Sequence, residues 1–180
     1  AIVAAEGALR TGAGLVSLAT RAETVTAALA RRPEIMARAV QQPQDIDPLL
    51  TKVDVVIIGP GLGTDRWAQL LLGRVLDAQK ATVFDADALN LLAKEGLPRE
   101  PLPPMSVMTP HPGEAARLLG SSNRRITSDR FEALTALVQC YGTTTLLKGV
   151  GTLIASPTRD DIISICPYGN AGMATGGMGD

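Results

Sequence analysis

The only histidine of the chain, His111, stands between Pro110 and Pro112, and Glu114 follows three residues later. Proline fixes its own φ and restricts the residue before it, so this short stretch is stiff and the imidazole is positioned rather than loose. A held imidazole beside a carboxylate can move a proton or orient a polar substrate. An idle surface histidine is the plainer alternative, and one histidine cannot supply the ligands of a zinc site. Asp85 and Asp87 stand two apart. In an extended chain they point to opposite faces, so they need not serve one ligand. Asp87 suits the cap of a helix beginning at residue 88, which leaves Asp85 for a ligand or a metal-bound water.

Two further segments suit anions. Lys148, Gly149, Val150, Gly151 and Thr152 set a cation beside pliable backbone and a hydroxyl, a seat for nucleotide phosphates; a solvated turn lysine is the default reading of the same residues. Residues 169–180 are dense in glycine and end on Asp180. Backbone donors clustered on an anion beside a general base would use this composition, and a disordered tail is the competing reading. A third glycine cluster, Gly59, Gly61 and Gly63, could let amides approach a phosphate ahead of a helix. It lacks the G-x-G-x-x-G spacing of a dinucleotide fingerprint and has no Walker lysine, so a simple strand-to-helix turn is equally compatible.

These segments need elements to place them. Residues 53–58 form an apolar run of strand length, the pattern of a parallel strand covered on both faces. Strands are expected again at 81–84, 106–109, 143–147, 152–155 and 162–166, with helices at 66–78, 88–94, 115–119 and 129–141, the last capped by Ser128. Upstream, helices at 1–11 and 23–32 alternate with strands at 14–20 and 34–40, and 41–50 reads as connection. Strands alternating with helices imply βαβ units around a mostly parallel sheet. In such sheets ligands bind beyond the carboxyl ends of the strands. Each unusual segment above follows a predicted strand.

Composition bounds the rest. The 180 residues suit one domain. Only five side chains are aromatic, so the core must be aliphatic. Seventeen basic against eighteen acidic residues give a net charge of −1, without the basic excess of a nucleic-acid binder. No apolar run reaches the ~18 residues of a spanning helix. Cys140 and Cys166 are too few for a disulfide framework. Together these point to the cytoplasm, with neither nucleic acid nor membrane as partner.

Taken in order, residues 12–16, 59–63, 85–90, 109–114, 148–152 and 170–180 resemble the dehydratase domain of NAD(P)H-hydrate repair enzymes, which belong to the ribokinase-like superfamily. The resemblance implies a three-layer α/β/α fold around a mostly parallel sheet. It also implies removal of water from hydrated NADH or NADPH (NAD(P)HX), driven by ADP in the bacterial type or ATP in eukaryotes, with Mg²⁺. ADP is preferred here. On this resemblance Asp180 is the base that accepts the substrate's hydroxyl proton, and Gly177 and Gly179 steady the transferred phosphate. Lys148, Gly149, Val150, Gly151, Thr152 and Gly179 hold the nucleotide; Ala1, Gly61, Gly63, His111 and Asp180 line the substrate side; Glu114 and Asp85 organise Mg²⁺ through water.

An NAD(P)HX epimerase, fused or separate, and a homo-oligomeric state are also implied. Family domains extend beyond the positions matching both ends, so a single domain truncated at each end is expected. His111 helps separate the family from related vitamin-precursor kinases, which typically carry Asn there. A kinase of a small hydroxylated metabolite and a non-catalytic nucleotide-binding module remain the alternatives.

Overall fold

A computed structural model describes residues 1–95, 102–159 and 162–170. Eight strands and eight α-helices alternate along them: α1 (Ile2–Arg10), β1 (Ser17–Thr20), α2 (Ala22–Arg31), β2 (Met36–Ala39), α3 (Asp47–Leu50), β3 (Val55–Ile58), α4 (Arg66–Asp77), β4 (Ala81–Phe84), α5 (Ala86–Glu95), β5 (Val107–Met108), α6 (Pro112–Leu118), α7 (Asn123–Ser128), α8 (Arg130–Tyr141), β6 (Thr144–Leu147), β7 (Thr152–Ala155) and β8 (Ser164–Cys166). The segment read as connection at 41–50 carries a 3₁₀ turn, Pro43–Ile46, leading into α3. Proline opens both pieces, where its missing N–H costs nothing.

The main sheet has the order β3-β4-β5-β6-β7-β8. Its first four strands run parallel, and β6, β7 and β8 are joined antiparallel. The mostly parallel sheet is the expected one. Right-handed crossovers that always step to the next strand must place their helices on one face. That face carries Ile58, Phe84, Met108, Leu147 and Leu153, which share a core with Leu71, Leu72 and Val75 of α4, Leu89 of α5, Leu118 of α6 and Leu134 and Leu137 of α8. On the opposite face of β3, Val55 and Ile57 are exposed. β1 and β2 form a separate two-stranded parallel sheet. It packs a small second core of Ala5, Leu18, Ala28 and Ile35.

Helix ends follow their capping residues. Asp65 Oδ1 accepts from the Ala68 N–H at 3.0 Å and opens α4, and Gly142, with φ 62°, closes α8 in the left-handed region. Ser128 does not cap α8, contrary to expectation. It is the last residue of α7, and the cap is Asp129, whose extended backbone lets Oδ1 accept from the Glu132 N–H at 2.9 Å.

Two polar ties hold the smaller unit together and to the rest. Glu6 on α1 is buried and accepts from Arg31 at 2.9 Å and Arg32 at 2.7 Å. The Arg31 guanidinium, and then that of Arg32, hold its carboxyl down at about 2. Arg21, just past β1, bonds Asp65 at 2.6 Å and lies 4.2 Å over the Trp67 ring, while the Trp67 indole donates to the Val40 carbonyl at 3.3 Å. Among the described residues no helix is long and apolar enough to cross a membrane. Cys140 and Cys166 are both free thiols.

Candidate active site at the carboxyl ends of the strands

Because β3 to β6 are parallel, the loops that follow them emerge on one edge of the sheet. Gly59 brings the first two together. Its φ is 125°, and a Cβ there would lie 1.6 Å from the Asp85 carbonyl oxygen. Only a residue without a side chain lets the loop after β3 pass this close to the end of β4. The Asp85 N–H donates to the Ile58 carbonyl at 3.1 Å and completes the tie.

Asp85 and Asp87 serve different partners, though not as an extended pair, and Asp87 does not cap a helix at 88. α5 begins earlier, at Ala86, whose φ is 46°. Asp87 falls in its first turn, and its Oδ2 accepts from the Gly63 N–H at 2.8 Å. The carboxylate thus pins the glycine loop to α5. The same loop meets the first residue of the chain: a Cβ on Gly61 would lie 3.3 Å from the Ala1 nitrogen. Ala1 and Gly61 are therefore neighbours.

Asp85 turns toward the next loops. Its Oδ1 accepts from the Thr109 hydroxyl at 2.9 Å and from the Lys148 ammonium at 3.0 Å. Lys148 Nζ also lies 4.0 Å from Glu114 Oε2. The Lys148 side chain is 12% exposed, Asp85 23% and Glu114 5%. One ammonium therefore faces two carboxylates in a site largely shielded from water, where the charges act more strongly on each other than in bulk solvent. The Lys148 N–H donates to the Pro110 carbonyl at 2.9 Å, which joins the loops after β5 and β6 through the backbone as well. The solvated turn lysine is excluded by this geometry.

His111 and Glu114 carry a second, local task. His111 is the N-cap of α6: its Nδ1 accepts from the Gly113 N–H at 3.0 Å, and Glu114 Oε2 accepts from the His111 N–H at 2.9 Å. This reciprocal pair is a capping box with imidazole in the place of a hydroxyl or amide. Nδ1 accepts, so the neutral ring carries its proton on Nε2, which faces Glu114 Oε1 at 3.5 Å. The His-x-x-Glu spacing held the signal for this box, although histidine is not among the preferred caps.

The loop between β6 and β7 holds Gly149, Val150 and Gly151, with Val150 fully exposed. Thr152 opens β7, and its hydroxyl donates back to the Gly149 carbonyl at 3.2 Å. Sequence reasoning missed Arg130, whose side chain reaches this loop; nothing in the spacing links the first residue of α8 to a turn some twenty residues later. Gly177, Gly179 and Asp180 lie outside the described residues.

The donor set decides what cation the site suits. Among the described residues, no three His, Cys, Asp or Glu side chains converge as direct ligands, and the Lys148 ammonium already faces both carboxylates. The pair thus offers no cage of direct ligands, and a Mg²⁺ at this edge would have to keep most of its waters.

A family model described as NAD(P)H-hydrate dehydratase matches residues 1–180. The chain is 50% identical over 178 residues to the bifunctional NAD(P)H-hydrate repair enzyme of Coxiella burnetii, covering 99% of this chain and 35% of that one. Among solved structures, a ribokinase-like superfamily protein from Enterococcus faecalis superposes with TM-score 0.86 at 30% identity, over 99% of this chain and 61% of that one. The ADP/ATP-dependent NAD(P)H-hydrate dehydratase of Bacillus subtilis, co-crystallised with ATP and Mg²⁺, superposes with TM-score 0.79 at 29% identity, over 98% and 62%. The chain spans about a third of the length of the bifunctional bacterial relatives it matches.

Proposed function

The chain belongs to the NAD(P)H-hydrate dehydratase family, and on that premise we propose that it returns hydrated NADH and NADPH to NADH and NADPH with ADP as phosphoryl donor. The observation that supports this most is the meeting of three strand-end loops at Lys148, Asp85 and Glu114, on the edge where parallel sheets bind ligands.

The chemistry has to remove a hydroxyl from a reduced ring, and hydroxide is a poor leaving group. In the proposed reaction the substrate hydroxyl oxygen attacks the terminal phosphorus of ADP. A carbon–oxygen–phosphorus link forms as the bridging phosphorus–oxygen bond breaks and AMP leaves. Asp180 accepts the hydroxyl proton, and the Gly177 and Gly179 amides donate to the transferred phosphate. The ring nitrogen then pushes out inorganic phosphate, and loss of a proton from the neighbouring carbon restores the double bond.

Residues 148–152, with Gly179, hold the nucleotide; Ala1, Gly61, Gly63 and His111 line the hydrated ring beside Asp180. Asp85 and Glu114 would hold Mg²⁺ through water, and the ion would supply charge neutralisation to the phosphates. The bifunctional name of the Coxiella relative supports a second repair activity, the epimerisation of NAD(P)HX, joined to this one or acting beside it.

The test is nucleotide dependence. Hydrated NADH incubated with the full chain and Mg²⁺ should regain the absorbance of NADH when ADP is added and stay unchanged without it. Recovery independent of added nucleotide would overturn the phosphoryl-transfer scheme.

A further inference from the structure

The turn that follows Lys148 is shaped by a side chain from another element. The Arg130 guanidinium donates from Nη1 to the Val150 carbonyl at 2.7 Å, and from Nη2 to the Leu147 carbonyl at 3.1 Å and the Gly151 carbonyl at 3.1 Å. Three carbonyls of one short loop thus converge on one cation. Gly149 allows it: its φ is 142°, and a Cβ there would press to 3.2 Å from Nη2. Arg130 Nε, meanwhile, is buried with no hydrogen-bond partner among the described residues. Burying an unpaired donor is unfavourable, so the carbonyl bonds made by the same group must more than offset it. A surface arginine resting on a turn would not meet that cost.

The consequence for ligands follows from peptide geometry. A trans peptide sends its N–H opposite to its C=O, and among the described residues no peptide is cis. With the Val150 carbonyl aimed at Arg130, the Gly151 N–H is aimed away from it, and it has no acceptor among the described residues. Amides turned outward in this way are donors to phosphate oxygens.

The geometry points to Arg130 as a positioning residue for a nucleoside diphosphate. It gathers the loop's carbonyls on one side so that the Gly151 N–H is presented on the other. The inference rests on the reading that residues 148–152 hold the nucleotide, and it adds the residue that gives this loop its shape. Arg130 need not touch the nucleotide. Its contribution is geometric, so a side chain with the same charge but a single donor head should not replace it.

Two substitutions in the full chain, Arg130→Met and Arg130→Lys, test this. The readouts are ADP affinity by calorimetry, affinity for hydrated NADH, and hydrogen exchange of the Lys148 amide, which is bonded to the Pro110 carbonyl. Both variants should bind ADP about tenfold or more weakly, the equivalent of one charge-assisted hydrogen bond. Both should exchange the Lys148 amide faster, with affinity for hydrated NADH unchanged. Unchanged exchange would overturn the clamp. Wild-type ADP affinity in Arg130→Lys would overturn it too, since charge alone would then suffice. Wild-type protein that bound no ADP would contradict the nucleotide reading itself, and the exchange rates would still decide whether Arg130 holds the loop.

Discussion

Lys148 and Asp85 lie 63 residues apart in the chain and 3.0 Å apart in the fold. Their ion pair joins the ends of β4 and β6, and Glu114 closes it from the first turn of α6 at 4.0 Å. Replacing Lys148 by Met leaves two shielded carboxylates without their shared counter-charge. Stability should fall by about 2 kcal/mol, and turnover should be lost with it. Asp85→Asn combined with Lys148→Met should recover part of the stability. Strict additivity of the two changes in urea unfolding would show that the residues do not interact.

The close pass of the β3 loop predicts a contrast between two glycines. Gly59→Ala must displace the Asp85 carbonyl and hold a side chain at φ 125°, so a loss of about 3 kcal/mol or more, or failure to fold, is expected. Gly73 lies inside α4, and a Cβ there meets nothing within 4 Å. Gly73→Ala should therefore stabilise by about 0.5–1 kcal/mol. Similar melting temperatures for the two variants would contradict the packing described between Gly59 and Asp85.

Capping and substrate contact can be separated at His111. Asparagine caps as well as any residue, so His111→Asn should leave thermal stability within about 0.5 kcal/mol of the parent, whereas His111→Ala should cost about 1 kcal/mol. If the imidazole lines the hydrated ring, His111→Asn should still bind hydrated NADH more weakly. Wild-type substrate affinity in that variant would confine His111 to its helix.

Glu6 sets an acid limit on stability. Its carboxyl is held at about 2 in the folded chain against an ordinary value of 4.5. A folded-state pKa below the unfolded one stabilises above the unfolded value and is lost as pH falls through the folded value. The contribution of Glu6 should therefore be full above about pH 4.5 and vanish progressively toward pH 2. Glu6→Gln should lower stability near neutrality and flatten this part of the profile. An unchanged urea-midpoint profile over that range would show that the Arg31 and Arg32 contacts do not govern it.

Most of the element order was legible in the sequence because the strands and helices have local causes, such as the apolar run at 53–58. What escaped was non-local. The separate β1–β2 sheet depends on pairing partners that hydrophobic periodicity does not encode. Ser128 and Asp129 are adjacent capping residues, and only backbone conformation chooses between them. At the site, the loops were visible as unusual composition after strands, yet composition gives no partners. That Lys148 faces Asp85 and Glu114, that Asp87 holds Gly63, and that Arg130 gathers the carbonyls of its loop are products of tertiary packing. His111 as a cap lay open to reading, but its chemistry pointed first to substrate.

Phosphoryl transfer followed by elimination is tested most directly by the balance of products. The full chain, given hydrated NADH, ADP and Mg²⁺, should form NADH and inorganic phosphate in equal amounts, and Asp180→Asn should lose most of that rate. A stable phosphorylated product accumulating in place of free phosphate, or NADH formed without phosphate, would contradict the account.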